Sequence, residues 1–118
     1  MTSLKLIKLI KLIKEGNYGK KELEEFLKYS NPFVLSNTMK EIVKHKYINE
    51  RIKKRLIEIS EFKDKRDVLM GIYTSGHLAV ATLIKLGYIK KNLDCYTQLD
   101  KYDKDIVDKL VEGYDSVL

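Results

Sequence analysis

A cluster of cationic side chains is the feature of this sequence with the greatest capacity for chemistry. It lies between residues 40 and 55, a range that also contains His45. It supplies our candidate partner-binding residues: Lys40, Lys44, Lys46, Arg51, Lys53, Lys54 and Arg55. Ammonium and guanidinium groups at this density can pair with phosphates or with the carboxylates of an acidic partner. Glu41, Glu50 and Glu58 are interspersed with them, a pattern that is also typical of a solvated lysine-rich face.

Tyrosines form a second group of candidate contact residues. Five of the eight tyrosines lie in the C-terminal half, at Tyr73, Tyr88, Tyr96, Tyr102 and Tyr114. Tyrosine is enriched at protein interfaces because it adds apolar area with a polar tip, although it is also common in ordinary cores. We add Tyr88 and Tyr96 to the candidate partner-binding residues.

The residue types needed for catalysis or metal binding do not form a recognisable pattern. His45 and His77 are the only histidines, and neither has Cys95 or a carboxylate at ligand or triad spacing. No glycine-rich phosphate loop is present. The acidic residues after position 99 alternate with lysines at helical spacing, which is typical of a solvated face. The sequence therefore predicts a non-enzymatic protein with no catalytic residue, no metal and no cofactor.

Composition fits one helical domain over residues 1–118. Hydrophobic residues make up 44% of the chain, and proline occurs once, which favours helices joined by short turns. A single cysteine, Cys95, precludes an internal disulfide and favours a cytoplasmic location.

Lysine interrupts the apolar N-terminus at every third residue from Lys5 to Lys14. This spacing excludes a signal-peptide core or a membrane span there, so we expect no membrane partner.

The charge of +6 is unevenly distributed along the chain. Residues 92–118 hold three lysines and seven acidic residues, so the preceding part is strongly basic. Lysine outnumbers arginine by 20 to 3. This bias is typical of an AT-rich coding sequence, such as that of a low-GC bacterium or its phage.

Apolar periodicity and capping signals predict six helices. Their approximate ranges are 4–15, 20–29, 32–45, 50–62, 68–86 and 101–114. The fifth can be divided, because Thr74-Ser75-Gly76 is typical of a break followed by a new cap. Its second part is apolar nearly all round, which predicts burial between other helices. A loop of about a dozen residues is expected before the sixth helix.

Two segments share one pattern of cap, helix breaker and apolar helix. Residues 30–39 align with residues 74–83 at an offset of 44 residues, and Tyr47-Ile48 and Tyr88-Ile89 end the two helices. This arrangement resembles HEAT and armadillo repeats. The resemblance implies an all-α fold of three stacked antiparallel helix pairs, a short HEAT-like solenoid. In such a solenoid the second helix of each pair lines the concave, partner-binding side.

The first 51 residues are also similar to winged helix-turn-helix regulators. The similarity rests on Gly19-Lys20-Lys21-Glu22-Leu23, on residues 35–43 and on Tyr47-Ile48-Asn49-Glu50-Arg51. It implies an alternative fold with a helical C-terminal part and a strand after Tyr47-Ile48. The third helix would enter the major groove of DNA, with Ser36, Asn37 and Lys40 at bases and Lys44 and Lys46 at phosphates.

These observations predict a small protein-binding module. It would act as an inhibitor, an antitoxin- or immunity-like antagonist, or an adaptor, by occluding a surface of a partner protein. The alternative is a DNA-binding transcriptional regulator that uses the third helix and the basic patch of the fourth.

Overall fold

Seven α-helices, three short 3₁₀ helices and one short hairpin form the regular structure of residues 4–116, the part of the chain that this computed structural model describes. The helices are α1 (Leu4–Lys14), α2 (Lys20–Phe26), α3 (Pro32–His45), α4 (Glu50–Ile59), α5 (Ser75–Lys85), α6 (Asp94–Thr97) and α7 (Lys101–Glu112). Strands β1 (Val68–Leu69) and β2 (Tyr73–Thr74) pair antiparallel. The all-α prediction is therefore confirmed.

Side-chain caps set the beginnings of α3 and α4 where the sequence predicts them. The Asn31 carboxamide oxygen accepts two backbone N–H groups of the first turn of α3, at 2.9 and 3.1 Å, and Pro32 occupies the first helical position. Asn49 accepts the N–H of Ile52 at 2.9 Å at the start of α4. These bonds satisfy amide groups that have no partner within the helix.

Helix α5 is at the centre of the molecule. Helices α1, α3 and α5 form a row, α2 packs on α3, and both α4 and α7 pack on α5. Residues 75–83 of α5 are all buried, as predicted from the absence of a polar face. The largest fully buried side chains are Ile13, Leu23, Leu27, Leu35, Met39, Ile42, Ile52, Leu56, Ile59, Leu69, Leu78 and Leu83.

The hairpin corrects the predicted fifth helix. Helix is confirmed only for residues 75–85, whereas the expectation of a buried helix from residue 68 was wrong. Met70 and Gly71 have φ angles of 55° and 71°, and the N–H of Ile72 donates to the carbonyl of Leu69 at 3.2 Å. Two consecutive left-handed residues form a tight hairpin turn and cannot belong to an α-helix. Met70 and Ile72 are consequently exposed, by 67% and 72%.

The start of α5 lies close against the end of α4. The N–H of Gly76 donates to the carbonyl of Phe62 at 2.9 Å. A Cβ atom at position 76 would lie 2.6 Å from the carbonyl oxygen of Ser60. Glycine is therefore required here by the close approach of two backbones.

The loop predicted before the last helix contains α6, which is about one turn of helix. Within residues 4–116, none of the helices combines the length and apolar character needed to cross a membrane.

Candidate functional site

The carboxylate of Glu24 on α2 is the centre of a polar cluster that joins α2 to α4. Arg51 donates its Nε–H to Oε1 at 2.7 Å, and Tyr47 and Asn49 donate to Oε2 at 2.9 and 3.3 Å. The hydrogen bond from the guanidinium is the main reason that the pKa of Glu24 falls to about 2, against the opposing effect of burial. The Arg51 side chain is held by these contacts but stays 77% exposed.

Arg55 donates hydrogen bonds to carbonyl groups at the C-terminal end of α2. Its Nε–H donates to the carbonyl of Leu27 at 2.7 Å, and its Nη2 donates to the carbonyl of Tyr29 at 3.3 Å. The guanidinium also lies over the ring of Phe62, 5.3 Å from the centroid. Carbonyl groups beyond a helix end need such donors. Helix α2 ends at Phe26, before the predicted end at residue 29, and these contacts lie just beyond that end.

A groove between the end of α2 and α4 brings three of the predicted contact residues together. Apolar atoms of the buried residues Leu27 and Ile52 line it, and its other lining residues are charged: Glu24, Glu25, Lys28, Arg51, Lys54, Arg55 and Glu58. We call this the α2–α4 groove. Its side chains carry both signs of charge, so it can bind a surface that presents apolar groups and mixed charges.

The predicted cations of α3 lie apart from the α2–α4 groove. Lys40 and Lys44 line a separate shallow depression together with the carboxylates of Glu41 and Asp115. Lys46 ends α3 in a left-handed conformation with a φ angle of 49°. The cluster that is continuous in sequence is therefore divided between different surfaces.

The remaining predicted contact residues engage neighbours within the chain. The Nζ of Lys53 lies 4.9 Å from the ring centroid of Tyr88. The hydroxyl of Tyr96 donates to Asp108 at 3.0 Å, and Lys90 donates to the same carboxylate at 2.9 Å. Burial, aided by the hydrogen bond to Asp108, raises the pKa of Tyr96. These contacts join the segment after α5 to α4 and α7.

Two side chains that the winged-helix alternative assigns to base contacts lie in the core. Ser36 is fully buried and Asn37 is 8% exposed, with its amide donating to the carbonyl of Phe33 at 2.7 Å. Where that alternative expects a strand after Tyr47-Ile48, residues 50–59 form α4. Neither Ser36 nor Asn37 is accessible to a DNA base in this fold.

The sequence analysis missed a pair formed by a buried histidine and a partly exposed carboxylate. The Nε2 of His77 lies 2.8 Å from Oδ1 of Asp103. The backbone N–H of Thr74 points to Nδ1 at 3.1 Å, so Nδ1 accepts and the ring donates from Nε2. The Thr74 hydroxyl in turn caps α5 by accepting the N–H of His77 at 3.2 Å. Only the Thr74 cap has a local sequence signal, because Asp103 is 26 residues from His77.

The described residues contain no set of three or more His, Cys, Asp or Glu side chains that could hold a metal ion. Over the same residues, every buried side-chain nitrogen and oxygen has a hydrogen-bond partner. Burial raises the pKa of the half-buried Cys95 thiol, which disfavours the reactive thiolate.

Comparisons with protein-family models, with curated proteins and with solved structures gave no match for this chain. The HEAT-like and winged-helix resemblances therefore stay predictions.

Proposed function

We propose that this chain is a small non-enzymatic protein-binding module. It acts as an inhibitor, an antitoxin- or immunity-like antagonist, or an adaptor by covering a surface of a partner protein. The lone cysteine supports a cytoplasmic site of action. The observation that carries the proposal is the α2–α4 groove, which combines apolar lining atoms with charges of both signs.

The mixture of charges favours a protein over a nucleic acid. A phosphate backbone is bound by cations that can all approach it. In the α2–α4 groove the carboxylates of Glu24, Glu25 and Glu58 stand beside the cations. Such a surface complements the mixed charges of a protein, where electrostatic matching gives specificity.

Two arginines in the groove are already hydrogen-bonded within the chain. Arg51 is fixed by Glu24, and Arg55 by two main-chain carbonyl groups. Arginine is enriched among the residues that contribute most to protein binding. Because their rotamers are already restricted, less conformational entropy is lost on association.

The test is capture of a partner by variants that differ only in surface charge. Lys54→Glu reverses a groove cation that forms no ion pair within residues 4–116, so the fold should be unaffected. Lys91→Glu makes the same change on the exposed segment after α5, outside the groove. We expect wild type and Lys91→Glu to retain one protein at about 0.3 M salt, where phosphate contacts weaken.

Loss of that protein with Lys54→Glu alone would support the groove as the contact surface. Equal retention by all three chains would mean that another surface binds the partner. The absence of any protein retained at this salt concentration would count against the proposal itself.

DNA binding is the second candidate, and exposed lysines at the end of α3 and on α4 favour it. Lys44, Lys46 and Lys54 are exposed, and the chain carries a net charge of +6. Titration of duplex DNA at two salt concentrations tests this function with Lys53→Glu/Lys54→Glu/Arg55→Glu. Steeply salt-dependent binding that the triple variant loses would favour a regulator. No binding at low salt would exclude this candidate.

A further inference from the structure

Three neighbouring depressions that share lining residues follow one another across the N-terminal half of the molecule. The first follows the flank of α1, the second lies at the end of α2, and the third is the α2–α4 groove. Tyr29 lines the first and the second, while Glu25 and Lys28 line the second and the third. We call this surface the α1–α4 channel.

The α1 end of the channel is apolar. Leu6, Leu9 and Leu12 recur at every third residue of α1 and line it together with Tyr29. Residues three apart lie on one side of a helix. Leu12 is 36% exposed, and Leu6 and Leu9 are only partly buried. The channel therefore presents a strip of accessible leucine side chains next to the charged α2–α4 groove.

The charged side chains of the channel that form no ion pair within residues 4–116 are all lysines. Every carboxylate that lines it already has a cation, in the pairs Glu24–Arg51 at 2.7 Å, Glu25–Lys28 at 3.0 Å and Glu58–Arg55 at 3.5 Å. Lys5 and Lys8 line the α1 end and Lys54 lines the α4 end. These three lysines are exposed and form no ion pair with any residue between 4 and 116. Unpaired cations therefore lie at both ends of the channel, and those at the α1 end adjoin the leucine strip.

We infer that the α1–α4 channel binds an acidic amphipathic helix of the partner protein. Its apolar side chains would pack on the leucine strip, and its carboxylates would pair with Lys5, Lys8 and Lys54. The inference rests on the proposed function and specifies the chemistry of the partner.

The secondary structure around the channel favours a helix over an extended peptide. An extended peptide gains affinity from hydrogen bonds to the open edge of a sheet, whereas an amphipathic helix packs its apolar face into a groove. The residues lining the channel belong to α1, α2, α4 and the segment after α2. The strands of the described chain, β1 and β2, contribute none of them.

The experiment uses a designed probe in place of the unidentified partner. The probe is a fluorescein-labelled peptide of about 14 residues, with leucines at i, i+3, i+4, i+7 and i+11 and glutamates elsewhere. A second peptide replaces the glutamates by lysines, and a third scrambles the acidic sequence. Fluorescence anisotropy measures binding of each peptide to the full chain.

We expect wild type to bind the acidic amphipathic peptide and neither of the other two. Lys8→Glu/Lys54→Glu should bind it at least about tenfold more weakly, because two attractive charges become repulsive. Leu12→Ser should also weaken binding, since it removes an exposed apolar side chain from the strip. Lys91→Glu serves as the matched control and should bind like wild type.

Three results would overturn the inference. The first is no binding of the acidic peptide, the second is equal binding of the scrambled peptide, and the third is binding that the channel variants leave unchanged. If wild type self-associates in light scattering and Lys8→Glu/Lys54→Glu does not, the occupant is the acidic α7 of a second copy instead.

The capture experiment distinguishes failure of this inference from failure of the proposed function. A partner that is lost with Lys54→Glu although the acidic peptide does not bind would leave the function standing and refute only the partner chemistry. Failure of both experiments would refute both.

Discussion

The connection between α2 and α4 and the connection between α5 and α7 join helices by opposite means. The first is a charged cluster around Glu24, in which Arg51 is 77% exposed. The second is mostly buried: His77 lies 2.8 Å from Asp103, whose side chain is 22% exposed, and Thr82 lies 2.7 Å from Tyr114. The cation of the first connection faces water, whereas His77, Thr82 and Tyr114 of the second are buried.

The difference separates a surface that can serve binding from one that fixes the fold. Exposed ion pairs contribute little to stability because solvent competes for both partners. Their geometry nevertheless holds Arg51 at the edge of a groove. Buried hydrogen bonds are costly to break because the groups left behind have no water to replace the lost partner. The α5–α7 connection should therefore dominate stability, and the α2–α4 connection should dominate recognition.

The largest expected effect is at the start of α5, the helix that the interior connection uses. In Gly76→Ala the new Cβ would lie 2.6 Å from the carbonyl oxygen of Ser60 and 2.9 Å from that of Phe62. Both are backbone atoms, so α4 and α5 must separate, and we expect a loss of about 1–3 kcal/mol in the free energy of unfolding. Urea denaturation measures it.

Gly113→Ala is the control for that substitution. The nearest atom to a Cβ at position 113 is the carbonyl oxygen of Lys109 at 3.6 Å, an ordinary contact. A loss at position 113 as large as the loss at position 76 would contradict the explanation by close approach.

An intermediate effect is expected from Tyr114→Phe, which removes one hydrogen bond from the interior connection. Thr82 donates its hydroxyl hydrogen to the carbonyl of Leu78 at 2.7 Å, so the Tyr114 hydroxyl is the donor to Thr82. Loss of this bond should cost about 1 kcal/mol of unfolding free energy. The cost should be the same at low and high salt, because neither group is charged.

Tyr102→Phe makes the same chemical change on a side chain that is 71% exposed. It should leave the thermal midpoint close to that of wild type. If both substitutions lower the midpoint equally, the interior hydrogen bond is not what stabilises α5 against the C-terminal segment.

The smallest effect is expected at the exposed connection, and it should depend on pH. The pKa of Glu24 is about 2 in the folded chain, below the value of about 4.3 for an unfolded glutamate. The ionised carboxylate therefore stabilises the fold above pH of about 4.3, and this contribution is lost as the pH falls towards 2. Glu24→Gln should be less stable than wild type at neutral pH, and the difference should vanish near the acid limit.

Thermal unfolding across this pH range measures that difference. Glu61→Gln, on an exposed residue after α4, removes one carboxylate outside the cluster. A Glu24→Gln difference that is constant from neutral pH to the acid limit would exclude ionisation of Glu24 as its source.

Local signals in the sequence were sufficient where one segment determines its own conformation. The caps at Asn31 and Asn49, the apolar periodicity of the helices and the break at residues 74–76 all correspond to the structure. The wrong prediction of a helix over residues 68–73 has a different cause. The apolar residues of that segment are compatible with a helix. Its two strands pair instead, because Met70 and Gly71 adopt left-handed conformations and because Leu69 and Tyr73 are buried.

The candidate site was predictable only in part. The sequence nominated Arg51, Lys54 and Arg55, which do line one groove, but it grouped them with Lys40 and Lys44, which line another. Proximity along a chain does not specify which side of two successive helices a residue occupies. The leucine strip of α1 was not predicted, because the side of α1 that stays accessible depends on what packs on the helix.

The sequence by itself determined an all-α chain with most of its helix boundaries, because helix formation depends on residues three and four apart and on the caps that adjoin them. The tertiary structure alone decided which charges are paired and which are free. The contacts of Glu24 with Arg51, of His77 with Asp103 and of Thr82 with Tyr114 join residues 26 to 32 positions apart. Such pairs form only once the packing of α5 against its neighbours has brought distant helices together, because no local rule of spacing can select them.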